Sequence, residues 1–145
     1  MKKIFNFFNK LHRKTDNSSR NYTGKASTTY DNGELYEGYY NDGLREGYGI
    51  YTYNSSDKYE GDWINNLKHG IGKMTYAVEG EYFGRFENGK RHGEGIFSYK
   101  LTKDVYSGSW KYGKKCGMGS YFYEATKMKV KKIFFNKFLK FLKIF

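Results

Sequence analysis

The sequence contains no proline, one cysteine and no long hydrophobic run. Its single cysteine, Cys116, cannot close an internal disulfide, so we expect a reducing compartment. The longest uninterrupted apolar run is three residues, Ile133 to Phe135, which is too short for a transmembrane helix. Asn6 and Asn9 interrupt the apolar stretch that follows the basic N-terminus, and this disfavours a secretory signal. These features argue against secreted and membrane-spanning classes.

Glycine and aromatic residues are abundant instead. The 145 residues include 18 Gly, 16 Tyr, 12 Phe and 2 Trp. Because glycine destabilises helices and tyrosine is favoured in strands, this combination indicates β-hairpins rather than a helical bundle. The length fits one domain with tails.

The net charge of +11 is confined to the two ends of the chain. Residues 1–21 carry six Lys or Arg and one Asp, and residues 125–145 carry seven Lys and no acid. Residues 22–124 hold 13 basic and 14 acidic side chains. This balanced region lacks the continuous basic groove that tracks a phosphate backbone, so we do not expect nucleic-acid binding.

The balanced region is a tandem repeat. Its units begin at residues 36, 59, 82 and 106, and a half unit, residues 22–35, precedes them. The first aromatic column comprises Tyr36, Tyr59, Tyr82 and Tyr106. The second aromatic column comprises Tyr40, Trp63, Phe86 and Trp110. Each unit closes on a tyrosine, and these are Tyr53, Tyr76, Tyr99 and Tyr123.

Each unit is predicted to be a β-hairpin. Tyr36, Gly38 and Tyr40 alternate onto one face of a first strand. The turn column needs a positive φ, which glycine adopts freely and asparagine tolerates best among the other residues. This column contains Gly43, Asn66, Gly89 and Gly113. In-strand glycines are expected to leave room for a ring of the neighbouring unit, so that units stack into one elongated, twisted antiparallel sheet with exposed aromatics.

The repeated phrase Tyr-Glu-Gly-x-aromatic-x-x-Gly-x-x-x-Gly-x-Gly resembles the MORN repeat (membrane occupation and recognition nexus). The resemblance covers residues 36–124 and, in part, 22–35; units three and four depart from it at Phe83 and Ser107. It implies an all-β array of hairpins. Such arrays are associated with membrane contact sites and with cortical or cytoskeletal scaffolds, often through self-association. Where enzymes carry these repeats, a separate catalytic domain accompanies them, and the arms here are too short to hold one.

No metal or catalytic site is predicted. One column collects four potential zinc ligands, namely Glu46, His69, His92 and Cys116. Equivalent positions lie two strands, or about 10 Å, apart, whereas zinc ligands lie about 2.0–2.3 Å from the metal. Cys116 has no repeating base beside it. The Gly-x-Gly pairs lack the helix of a phosphate-binding loop. We therefore expect a non-enzymatic protein without a cofactor.

Residues 125–145 are predicted to form a basic amphipathic helix in which only Lys131 falls inside the apolar face. The polar face comprises Lys129, Lys132, Asn136, Lys137, Lys140 and Lys143. The apolar face comprises Val130, Phe134, Phe135, Phe138, Phe141, Leu142 and Phe145. Residues 1–21 repeat the pattern over a shorter span and end in a polar linker. Their candidate membrane-contacting residues include Lys2, Lys3, Phe7 and Phe8.

Several roles are open for these arms. They could lie in a membrane interface, with Phe buried and Lys near anionic lipid. The C-terminal helix could instead cap the array, or serve a calmodulin-like protein as a target with Phe134 and Phe141 as anchors. Since Lys, Phe, Ile and Asn are also what A/T-rich codons specify, a further alternative is that the last residues derive from an intron or a misplaced stop.

The favoured hypothesis is a non-catalytic adaptor that binds anionic membranes through its arms and presents the aromatic–glycine sheet to protein partners or to another copy. The alternative is a lipid-independent protein-interaction or cytoskeletal scaffold, capped by the C-terminal helix. Either hypothesis predicts a cytoplasmic protein, peripheral to a membrane or to the cortical cytoskeleton.

Overall fold

The computed structural model describes residues 21–134 and 139–140, with side chains up to residue 132. In this part the chain forms strands and turns and no helix. The strands are β1 (Gly24–Thr29), β2 (Leu35–Asn41), β3 (Leu44–Thr52), β4 (Lys58–Ile64), β5 (Leu67–Tyr76), β6 (Gly80–Glu87), β7 (Lys90–Tyr99), β8 (Val105–Lys111), β9 (Lys114–Tyr123), β10 (Met128–Phe134) and β11 (Leu139–Lys140). They form one antiparallel sheet whose spatial order is the chain order. The predicted all-β sheet of hairpins is confirmed.

The hairpin turns have a positive φ at both central residues. In the first unit these are Asp42 and Gly43, with φ of 47° and 77°. In the second they are Asn65 and Asn66, with φ of 48° and 68°. This is the type I′ geometry, whose twist matches that of the flanking strands. The turn prediction is therefore confirmed, including the asparagine that replaces glycine.

A bulge interrupts every hairpin at the same place. Strand pairing shifts register after Gly38 in the first unit and at the equivalent glycines of the other three. Opposite each shift, the second strand has a glycine in the left-handed region, where a side chain would be strained. These glycines are Gly47 (φ 64°), Gly70 (φ 55°), Gly93 (φ 57°) and Gly117 (φ 58°).

The helix predicted for residues 125–145 is wrong over residues 128–134, which form β10 and pair with β9. The free edge of β9 offers backbone hydrogen bonds that a separate helix would leave unused. The alternation of Met128 and Val130 with Lys129 and Lys131 fits a strand, and it explains why Lys131 disturbed the helical pattern.

Strand β10 is the first strand of an incomplete fifth unit. Val130 pairs with Tyr121, as Tyr106 pairs with Phe97 in the preceding unit. By the same register Lys132, opposite Gly119, stands where Gly108 stands. The sheet therefore continues ten residues beyond residue 124.

Candidate interaction surface

The first aromatic column lies flat across paired glycines. A Cβ atom at Gly72 would come within 2.5 Å of the Tyr59 hydroxyl, and one at Gly49 within 2.3 Å of the Tyr36 hydroxyl. The ring over each glycine pair thus belongs to the same unit. The expectation that a neighbouring unit supplies it is wrong, because the tyrosine two residues before the first glycine already fills the space.

Neighbouring units meet ring against ring. Tyr36 packs edge-to-face on Tyr40 of its own unit at 5.1 Å between ring centroids, and on Trp63 of the next unit at 5.4 Å. Tyr59 packs likewise on Phe86 of the following unit at 5.0 Å. The two aromatic columns therefore form one continuous aromatic row along a face of the sheet that we call the ring face. Edge-to-face geometry is the arrangement that aromatic quadrupoles favour.

The aromatic row is buried, so the expectation that its eight side chains form an exposed surface is wrong. The tyrosines of the first column are 0% exposed and the residues of the second column are 3–4% exposed. Rings of adjacent units cover one another, and the hydrophobic core of this single-layer sheet consists of the row together with Tyr51, Met74 and Phe97. A partner that binds the ring face would therefore contact the side chains around and above the row rather than the row itself.

The polar atoms of the row are satisfied internally. The Tyr59 hydroxyl donates to the Asp62 carbonyl at 2.9 Å, next to the bulge, and the tyrosines that open the other units do the same. Trp63 donates from Nε1 to the Gly49 carbonyl of the preceding unit at 3.2 Å. Burial raises the pKa of Tyr106 to about 12, so its hydroxyl keeps its proton at neutral pH.

A row of four cations lies above the aromatic row. These side chains are the second residues after the hairpin turns and pair across the strands with the second aromatic column. We call them the cation row: Arg45, Lys68, Arg91 and Lys115. The sequence analysis missed this row because the net charge of the array is close to zero. That balance concealed that the carboxylates and these four cations lie on different faces of the sheet. The signal was present, since the four residues follow the repeat spacing.

Each member of the cation row contacts aromatic rings. The Arg45 guanidinium lies 4.5 Å from the Trp63 ring centroid, and Arg91 lies 4.3 Å from that of Trp110. Lys115 lies 4.6 Å from Tyr106. These are cation–π distances, and such contacts strengthen when the cation is partly desolvated.

Hydrogen bonds hold the arginines in place. Arg45 donates from Nη2 to the Asn66 carbonyl at 3.2 Å and from Nε to the Asn66 side-chain oxygen at 3.2 Å. Arg91 donates from Nη2 to the Gly113 carbonyl at 3.0 Å. Each arginine thus bridges two successive units, which fixes the position of its guanidinium group.

Polar side chains on the opposite face, which we call the outer face, pair with one another. Lys58 and Glu60, Lys73 and Glu81, and His92 and Glu87 each approach to 3.0 Å. Among the described residues, none of the four cation-row side chains forms a salt bridge. Burial lowers the pKa of Lys68, and the charges of Arg45 and Arg91 lower it further.

The predicted membrane-contacting residues fall into two groups. Lys129, Lys132 and Phe134 lie in β10, and Lys140 lies in β11. Lys132 points to the ring face, 4.7 Å from the Tyr121 ring centroid, whereas Lys129 is exposed. The remaining candidates lie outside the described residues: Lys2, Lys3, Phe7, Phe8, Phe135, Lys137, Phe138, Phe141, Lys143 and Phe145.

Within the part of the chain that the structure describes, no group of three or more His, Cys, Asp or Glu side chains is arranged to hold a metal ion. The same part of the chain has no helix long and apolar enough to cross a bilayer.

Comparison with protein-family profiles matches the MORN repeat at residues 36–58, 59–80, 82–100 and 106–124. These matches cover more than half of the chain, which therefore belongs to the MORN-repeat family. The search of curated proteins finds no significant match. The family is typically non-catalytic, and its repeats support a scaffold or protein-interaction role.

Proposed function

We propose that this protein is a non-catalytic adaptor whose array binds protein partners while its basic arms hold it at an anionic membrane surface. The observation that supports this division is the distribution of charge. The array is near neutral overall, whereas both arms are strongly basic and rich in phenylalanine. Each Lys near an anionic surface contributes about 1 kcal/mol, and each buried Phe about 1.5–3 kcal/mol before ordering costs.

The exposed lysines at the C-terminal end of the array support the same division of roles between the array and the arms. Lys129 and Lys131 are exposed on the outer face of β10, and β10 leads directly into the rest of the C-terminal arm. Lys111 and Lys114, exposed on the outer face of the last complete hairpin, extend this basic region. A membrane contact at this end would leave the ring face of the earlier units open to a partner.

Co-sedimentation with phosphatidylserine vesicles tests the proposal. We compare the full chain with a variant in which Lys137, Lys140 and Lys143 are changed to Gln. The matched control changes Lys25, Lys90 and Lys103, three exposed lysines of the array, to Gln. The arm variant is expected to lose vesicle affinity by at least about 100-fold, whereas the control stays within a few fold.

Salt gives a second readout, because binding through the arms should be lost above about 0.5 M salt, where the screening length is below about 5 Å. Equal losses in both variants would assign lipid binding to the array. A full chain that stays in the supernatant would remove the membrane from the proposal and leave a lipid-independent scaffold.

A further inference from the structure

We infer that the cation row binds an acidic polypeptide segment whose carboxylates recur about every 10 Å along one side. This inference rests on the adaptor role proposed above and gives the partner its chemistry. It depends on the array alone, so it can fail or hold independently of membrane binding by the arms.

The row has a fixed period. Its members occupy the same position in four successive hairpins, and equivalent positions in neighbouring hairpins are two strands, or about 10 Å, apart. Cation–π contacts and hydrogen bonds to the next unit keep the guanidinium groups of Arg45 and Arg91 at these positions. Such preorganisation lowers the entropic cost of binding a ligand of matching period.

The row is not neutralised within the described part of the chain: Glu34 acts on Arg45 and Asp57 acts on Lys68 from loops beside the sheet, but no carboxylate there forms a salt bridge with the row. The ring-face positions of β2 to β9 include no Asp or Glu, while the outer face carries carboxylates that pair with Lys58, Lys73 and His92. The pKa of Lys68 is lowered first by burial and further by the charges of Arg45 and Arg91, which outnumber the opposing charge of Asp57. An acidic ligand would neutralise this strip, and arginine can hold a carboxylate through two hydrogen bonds.

A peptide fits this surface better than a bilayer does. The four side chains are half-buried and lie down on the rings, whereas membrane-binding lysines extend into the headgroup region. The chain's own C-terminal arm is a poor occupant, because residues 125–145 contain seven Lys and no acid. The charge of the ring face therefore disfavours the alternative in which this arm caps the row.

The probe is a labelled helical peptide with Glu at every seventh position. Seven helical residues rise about 10.5 Å and return to nearly the same side, so these carboxylates match the period of the row. The control peptide has the same composition with its Glu residues grouped at one end. Fluorescence anisotropy with the full chain is expected to show at least about tenfold tighter binding of the periodic peptide.

Substitutions in the full chain identify the surface. Arg45→Gln with Arg91→Gln removes two charges from the row and should weaken peptide binding at least about tenfold. Lys58→Gln with Lys73→Gln removes two charges from the outer face and should change it less than about twofold. Arg45→Lys with Arg91→Lys keeps the charge but loses the two-hydrogen-bond contact of arginine with a carboxylate, so it should bind more weakly than the parent chain and more tightly than the glutamine variant. This intermediate affinity separates loss of charge from loss of fold.

Three results would overturn the inference. The first is equal weakening by the ring-face and outer-face variants. The second is full displacement of the peptide by a single-stranded oligonucleotide of equal charge, which would make the row a general polyanion site. The third is loss of vesicle binding in the Arg45→Gln, Arg91→Gln variant, which would assign the row to lipid. Loss of vesicle binding in the arm variant with peptide binding intact leaves the inference standing.

Discussion

At the scale of single residues, each unit depends on a tyrosine and two glycines that are required together. The Tyr59 ring occupies the space that a side chain at Gly72 would fill. Strand β10 shows the converse, because Val130 stands in the tyrosine position and Lys132 replaces the glycine. Where valine replaces the tyrosine, no ring lies across the backbone, and the glycine position can then hold a side chain.

Gly72→Ala is therefore expected to destabilise the array by about 1–3 kcal/mol, through overpacking against Tyr59. The same substitution in a Tyr59→Val background should cost clearly less, since the ring that it clashes with is gone. Urea denaturation of the two single variants and the double variant measures this coupling. Additive effects would contradict the proposed contact.

The buried tyrosines make stability dependent on alkaline pH. Burial raises the pKa of Tyr53 and of Tyr106 to about 12, above the ordinary value of about 10. The folded state thus retains these protons more tightly than the unfolded state does. Their contribution to stability is complete below about pH 10 and is lost as the pH rises from about 10 to 12.

Denaturation curves across this pH interval, with tyrosinate absorbance recorded in parallel, test the dependence. Tyr106→Phe should make the decline less steep, whereas Tyr112→Phe, at an exposed tyrosine, should leave it unchanged. Ionisation of Tyr106 near pH 10 without loss of folded protein, seen as the difference in tyrosinate absorbance between the parent chain and Tyr106→Phe, would contradict the burial.

At the scale of the hairpin, the turn of one unit is attached to the strand of the unit before it. The backbone N–H of Asn66 donates to the Arg45 carbonyl at 3.1 Å, and the Asn66 side-chain oxygen accepts from the Arg45 N–H at 2.8 Å. Gly89 and Gly113 donate equivalent backbone bonds to Lys68 and Arg91. The turn therefore also positions the cation row.

Two substitutions separate these roles of Asn66. Asn66→Gly keeps the left-handed turn and loses the side-chain hydrogen bonds, so a cost of about 1 kcal/mol is expected. Asn66→Ala loses the bonds and also strains the turn, so it should cost about 1 kcal/mol more. Thermal or urea unfolding measures both, and an equal cost would show that the turn conformation contributes little.

The hairpins and their turns were predictable because each depends on local chemistry that repeats, such as the positive φ at Gly43 and Asn66. The incomplete unit in β10 was not, because Val130 and Lys132 break the repeated phrase and the strand is defined by pairing with β9. Burial of the aromatic row depends on contacts between units, such as Tyr36 with Trp63, that spacing alone does not reveal. The cation row was obscured by the balanced charge of the array.

At the scale of the molecule, each strand pairs only with its neighbours in sequence, so stability should be distributed along the array. Gly72→Ala disturbs a central unit, and Gly119→Ala disturbs the last complete one, where a Cβ atom would come within 2.5 Å of the Tyr106 ring. Hydrogen exchange should show faster opening near residue 119 alone in the terminal variant, and over several units in the central variant. Identical exchange patterns would indicate one cooperative block.

The adaptor role requires one chain to hold a membrane and a partner simultaneously. The most direct test is co-sedimentation of the labelled periodic acidic peptide with phosphatidylserine vesicles, with and without the full protein. We predict that the peptide pellets only when the protein is present, and that Arg45→Gln with Arg91→Gln leaves the protein in the pellet while the peptide stays in solution. If the peptide instead releases the protein from the vesicles, the two ligands share one site and the adaptor role is contradicted.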